Sequence, residues 1–204
     1  MANIASKEKI AQRRYDILQA AIEVFSSKGY HSAGVADIAN ALGIGHGTIY
    51  RYYKNKRDIF NAILAELLAQ MADVVQQEPP STDSLDDYRQ QLERIAAHMM
   101  RIFQQDPRLA RIAFYEAMSI DEEARASVDH FIAVFAQFTA HYMKNGVDKG
   151  FLRANMNQSM AAQLITAMIM EAVKKIATGK DNEADIQQWK SEIIHFVIGG
   201  LSAG

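Results

Sequence analysis

Residues 45–57 gather side chains suited to a polyanion. His46 can meet a base edge or a phosphate. The hydroxyls of Thr48 and Tyr50 can donate to phosphate oxygens, and Arg51 and Tyr52 lie within the same turns. Lys54, Lys56 and Arg57 add positive charge, and Lys56 opens a helix whose first amides favour a phosphate. Gly45 and Gly47 carry no side chain, so the backbone there can approach a ligand closely. Contacts to phosphate set register, whereas contacts to base edges specify sequence.

Other chemistries find less support. Gly43-x-Gly45-x-Gly47 lacks the spacing and the preceding strand of a dinucleotide loop. GxxxxGK[ST], HExxH and GxSxG are absent. Glu192-x-x-His195 is half of a di-iron carboxylate pattern, but no second ExxH occurs among the six histidines. It reads as two polar residues on neighbouring helical turns, and no catalytic or metal site and no cofactor is expected. Zero Cys excludes disulfides, thiolate catalysis and thiolate zinc sites, and makes the cytoplasm the expected compartment. No apolar run reaches the ~18 residues of a membrane span, and the first nine residues lack the apolar stretch of a secretory signal.

Charge is unevenly spread. Residues 1–60 hold nine Lys/Arg and five Asp/Glu, a net +4 on a chain of 204 residues whose total is −2, so the remainder carries −6. A basic head on an acidic body points to a polyanion at one end.

Helical periodicity dominates, and the fold class is all-α. Ile10, Ile17, Leu18, Ala21 and Phe25 share one face of a first helix that Gly29 ends. Short helices follow at Val35–Leu42 and Thr48–Tyr53, and a longer one at Lys56–Gln77. Ala39 sits where two short helices must approach. Gly43 sits where the turn between them needs positive φ. Ile49 can plug the space they enclose, and the first helix supplies their floor. This is a helix-turn-helix at 35–53, a unit that presents its last helix to the major groove. Pro79-Pro80 breaks the chain. Helices are expected at 83–105, after an Asp106 cap with Pro107 at the first turn, from a Ser119-x-x-Glu122 capping box to about Asn145, and near 157–178 and 184–201. Gly146 and Gly150 bracket a turn.

Residues 10–60 resemble the TetR family of bacterial transcriptional regulators. The matching positions are Gly29-Tyr30, Val35-x-Asp37-Ile38-Ala39, Leu42-Gly43-Ile44, Gly47-Thr48-Ile49-Tyr50-x-Tyr52-Tyr53 and Lys56. The resemblance implies an N-terminal three-helix helix-turn-helix domain, residues 1–55. A long helix joins it to a C-terminal helical ligand-binding and dimerisation domain, residues 56–204, for about nine helices in all. It implies base or nearby phosphate contacts for His46 and Tyr52. DNA-backbone contacts are implied for Gly47, Thr48, Tyr50 and Lys56, and an interior position for Tyr53. It further implies a homodimer on a palindromic double-stranded DNA operator, most simply as a repressor, with a small effector. Two positions depart from the family. Ala33-Gly34 replaces a pair of hydroxyl residues at the second helix, and Gly45 replaces a frequent Ser at the start of the recognition helix. With Gly45 and Gly47, the recognition helix is expected to have a pliable first turn.

Eight of the ten Met fall between 99 and 170, among aromatic residues. Such helices pack as core or line an adaptable apolar cavity. Candidate ligand residues are Met99, Phe103, Tyr115, Met118, Phe135 and Phe138, with Met168 and Glu171. Glu171 interrupts an apolar run, either to orient a ligand or to face solvent. The expected effector is mainly apolar, of modest size or an acyl chain. The last helix carries Trp189, Ile193, Phe196, Val197 and Leu201 on one stripe that needs a cover, either the same chain or a second copy. With Leu164 and Met168 these are the candidate dimer residues. Two other functions stay open: a small-molecule carrier that does not bind an operator, and a helical metal-carboxylate enzyme.

Overall fold

Capping residues and left-handed glycines cut the chain into its helices. The computed structural model describes residues 2–179 and 182–203. Helix α1 (Ala2–Lys28) ends at Gly29, φ +78°, whose amide bonds Phe25 O. Helix α2 (Val35–Leu42) has no hydroxyl cap at Gly34. Asp37 makes up for it: its carboxylate accepts the Gly34 amide at 2.8 Å and the Lys28 ammonium at 2.6 Å. The Lys28 bond, then the amide, hold the Asp37 carboxyl below the usual range. Gly43, φ +63°, closes α2, and the Ile44 amide returns to Ala39 O.

Helix α3 spans His46–Tyr50, two residues earlier than the sequence pattern suggests, and Tyr52 and Tyr53 fall in the turn behind it. Helix α4 (Lys56–Gln77) starts at Asn55, which caps Asp58 N. Helix α5 (Leu85–Gln105) starts at Ser84. Asp106 and Pro107 then open α6 as expected. It runs as α-helix over Pro107–Arg111, as a π turn over Ile112–Glu116, and as α-helix again over Ala117–Ile120. Ser119 does not begin the next helix. Its hydroxyl is turned back to Glu116 O, and Asp121 caps α7 (Glu122–Asp148) by accepting from Ala124 N. Gly146 therefore lies inside α7, and only Gly150, φ +80°, serves the turn. Helix α8 (Gln158–Thr178) is capped by Asn157, and α9 (Glu183–Leu201) by Asn182. Counted this way the described residues form nine helices, and their only β pairing is one isolated bridge, Leu152 to Ser202.

Three apolar clusters stack along the molecule. The first unites α1, α2, α3 and the start of α4 around Phe25, Tyr30 and Phe60, with ring centroids 5.2–6.3 Å apart. Ile38, Ala39 and Ile49 are its buried helix-turn-helix members. It also takes in Ile112, Ala117 and Val128, so the head is seated directly on α6 and α7. The second cluster joins α4, α5, α6, α7, α8 and the start of α9, and the third closes the far end around Tyr88, Tyr142 and Met143. Each such buried side chain contributes ~1.5–3 kcal/mol. The Tyr142 hydroxyl, pushed up to about 12 mainly by burial, donates to Val75 O and Glu78 O and ties α7 to the end of α4.

Candidate functional site

The outer face of α3 follows from how the helix is anchored. Ile49 is buried between α2 and α3, which turns His46, Gly47 and Tyr50 to solvent and leaves Thr48 half-buried at the edge. Arg51 and Lys54 are exposed just beyond. Tyr50 is 56% exposed and needs nothing from the head to hold its place. Tyr53 is buried, with the Arg14 guanidinium 4.5 Å over its ring, while Arg14 also donates to Tyr52 O. Tyr52 is half-buried. His46, Gly47 and Tyr50 thus face solvent together, with Thr48 at their edge.

One expectation changes. Gly45 is not inside the recognition helix: it is the N-cap residue, extended at φ −72°, ψ 145°. Only Gly47 weakens α3 as an interior glycine, by ~1 kcal/mol relative to Ala. Lys56 is half-buried, with its ammonium already engaged by the protein. Its ammonium donates to Tyr30 O at 2.7 Å and Ala33 O at 2.8 Å, and lies 4.3 Å over the Tyr30 ring. Burial holds its pKa below the ordinary lysine value. Lys56 closes the α1–α2 turn onto α4, satisfying carbonyls that no helix pairs.

A five-residue helix has little to hold it. The amides of His46 and Gly47 have no partner within α3. Hydrogen exchange is expected to show low protection over 46–49 in the DNA-free protein, against high protection over 17–25. Strong protection at 46–49 without DNA would contradict this reading.

The head is bolted to α6 by polar contacts. Glu116, in the π turn, accepts the Tyr30 amide at 2.8 Å. His31 Nε2 lies 2.8 Å from Ser119 O. Arg108 reaches Glu23 at 2.5 Å, and Arg57 pairs with Asp121. The sequence does not show these pairings, because each joins residues dozens of positions apart.

The candidate ligand residues do not form one site. Met99 and Phe135 line a narrow apolar seam between α5, α7, α8 and α9 with about 100 Å³ of free volume. Tyr115, Met118 and Glu171 line a separate open depression beside the π turn. Phe138 lines a third space, the groove between α4 and α7. Phe103 is buried in the second cluster and Met168 packs against the third. The sequence reading missed the seam's main walls, which are aliphatic: Leu92, Ile95, Ile165, Ile169, Val173 and Ile193. It also missed Lys190, the one charged residue lining the seam among the described residues.

The dimer candidates divide as well. Leu164 and Phe196 are each 68% exposed, and Met160, which is not one of the candidates, is similarly bare. Val197 and Leu201 are corrected: at 5% exposure they are covered by their own chain in the third cluster. Ile193 faces the seam, and Trp189 is half-buried. Glu192 and His195 both face solvent, and no three metal-ligating side chains gather among the described residues. No described helix is long and apolar enough to cross a membrane.

Against known proteins, residues 17–63 match the model for bacterial regulatory proteins of the tetR family, and residues 67–200 match that for the C-terminal region of YsiA-like proteins. The chain is 23% identical over 185 residues to the fatty acid metabolism regulator protein of Bacillus subtilis, covering 91% of this chain and 93% of that one. It is 26% identical over 191 residues to the transcriptional activator FasR of Mycolicibacterium smegmatis, covering 94% and 84%. Its fold is that of the regulator FadR from Bacillus subtilis in complex with stearoyl-CoA, with a TM-score of 0.77, 21% identity, and 91% and 98% of the two chains covered.

Proposed function

Because this chain belongs to the tetR family of bacterial regulatory proteins, we propose that it is a repressor that binds a palindromic operator as a homodimer and leaves it when an acyl-chain effector enters the seam. The regulators it resembles govern transcription, and one is named for fatty acid metabolism. The observation that carries the proposal is a shared wall. Val173 and Ile176 line the seam and, in the same cluster, pack against Ala110, Ala113 and Phe114 of α6. Helix α6 in turn holds the head through Glu116 and Ser119.

The seam is nearly shut. An apolar cavity of ~150 Å³ holds a benzene, so about 100 Å³ admits only a few methylenes. A long chain must spread α5 from α8 and α9, and the unbranched Met99 and Met100 give way most easily. Spreading displaces Val173 and Ile176, hence α6, hence the head. Such a ligand relieves DNA binding only as far as it prefers the spread state. Two heads must meet grooves ~34–36 Å apart, and the bare Met160, Leu164 and Phe196 are the surface we assign to the second copy.

Selection of random duplexes by the purified protein tests this. One palindromic site is expected, released by a long-chain acyl-CoA. Sedimentation is expected to give a dimer that Leu164→Glu converts to monomer, with operator affinity lost alongside. A site bound only with the acyl-CoA present would make the effector a co-repressor. Recovery of nothing in either state would favour the carrier.

A further inference from the structure

The seam is apolar along nearly its whole length but not at one edge. Its α9 wall is a stripe of Lys190, Ile193, Ile194 and Val197. Gln104 Nε2 donates to Glu183 Oε2 at 2.6 Å, which joins the last turn of α5 to the first turn of α9. The two helices run antiparallel from that bond, so Lys190 lies across from the Ala96–Met100 stretch that lines the same space. Lys190 is half-buried and makes no ion pair among the described residues. By contrast, Lys28, Lys144 and Lys149 each have a carboxylate within reach.

A lysine on an apolar wall lays its methylenes along that wall and keeps its ammonium at the wet edge. Removing an ammonium from water without a partner is costly, so this edge is where the seam meets solvent. The geometry is that of an amphiphile site. The α5 wall from Tyr88 to Met100 spans ~18 Å at the helical rise. A carbon chain advances by somewhat less than one C–C bond, ~1.5 Å, per carbon. A chain of about twelve to fifteen carbons therefore fills the seam once it opens.

We infer that Lys190 is the anchor for the anionic group of the effector, which makes the site selective for anionic over neutral amphiphiles. This inference rests on the acyl-chain reading of the seam given above. A carboxylate and the phosphates of a coenzyme A thioester share the required chemistry. Both accept a charge-assisted bond from an ammonium, and both carry the charge at one end of an apolar chain.

Dodecanoate, dodecanoyl-coenzyme A and dodecan-1-ol, titrated calorimetrically below their aggregation limits, separate the cases. The wild-type protein is expected to bind at least one of the two anions about ten- to a hundredfold tighter than the alcohol, the range of one charged hydrogen bond. Whichever anion is preferred names its source. Lys190→Met is expected to erase that preference while alcohol binding persists, and Lys190→Arg to restore most of it. Equal wild-type binding of all three probes would overturn the anchor and leave the seam reading standing. So would an anion preference that survives in Lys190→Met. Failure of the wild type to bind any of the three would overturn both.

Discussion

Tyr50→Ala is expected to abolish operator binding at concentrations where the wild type saturates it, without changing the melting temperature. The ring is more than half exposed on a helix whose anchor is Ile49, so the fold loses almost nothing when it goes. A good contact to DNA is worth ~1–3 kcal/mol. A homodimer loses it twice, so the operator complex weakens by ~2–6 kcal/mol, or from about thirtyfold upward. Tyr50→Phe divides the contribution: a phosphate contact through the hydroxyl makes it nearly as damaging, whereas stacking or packing on the sugar spares it. Gel shift and thermal denaturation on the same preparations check both halves. Unchanged affinity in Tyr50→Ala would remove this face of α3 from the interface.

Gly146→Ala should destabilise the C-terminal body more than any other single methyl added at a described glycine. A Cβ built there would lie 2.5 Å from Cγ and Cδ1 of Leu152 and 2.7 Å from the Phe151 ring. Neither neighbour can step aside freely. Leu152 is 1% exposed, and its amide and that of Phe151 both bond Gly146 O. The same segment holds the chain end, through Arg153 N to Leu201 O at 2.9 Å and Ala203 N to Phe151 O at 3.3 Å. Overpacking of this kind costs ~1–3 kcal/mol. If Leu152 is expelled, its burial of ~1.5–3 kcal/mol is lost instead. A fall in melting temperature of ~2–4 °C per kcal/mol follows for a chain of this size. Operator affinity per folded molecule should hold, because Gly146 lies in the body, in the helix end opposite the one seated under the head. A variant as stable as the wild type would show that 151–152 repacks at no cost.

The head was legible because its constraints are local. Ala39, Gly43 and Ile49 are fixed by steric and φ requirements within eleven residues, and all three behave as their types demand. The hold on Lys56 was hidden for a long-range reason: a lysine at a helix start suits a phosphate, and only the folded chain brings the carbonyls of Tyr30 and Ala33 within reach of it. The body was legible as helices but not as a site. An apolar stripe states that a face is covered, not by what, so Val197 and Leu201 looked like Leu164 and Phe196 until the chain was folded. Aromatic and Met residues drew attention away from aliphatic walls that, in sequence, are indistinguishable from core. The cap of α7 went to Asp121 because Ser119 still belongs to the preceding helix.

The π turn at Ile112–Glu116 acts as a phase shifter. An α-helix advances ~100° per residue, and a π turn absorbs one residue more than an α turn. Ser119 and the cap Asp121 follow that extra residue, so their azimuth about the helix axis is offset by ~100° from an uninterrupted helix. Those two positions meet His31 and Arg57. The mating of head and body is thus encoded in a residue count: one residue fewer in this turn, with every side chain conserved, would leave the same partners aimed at different neighbours.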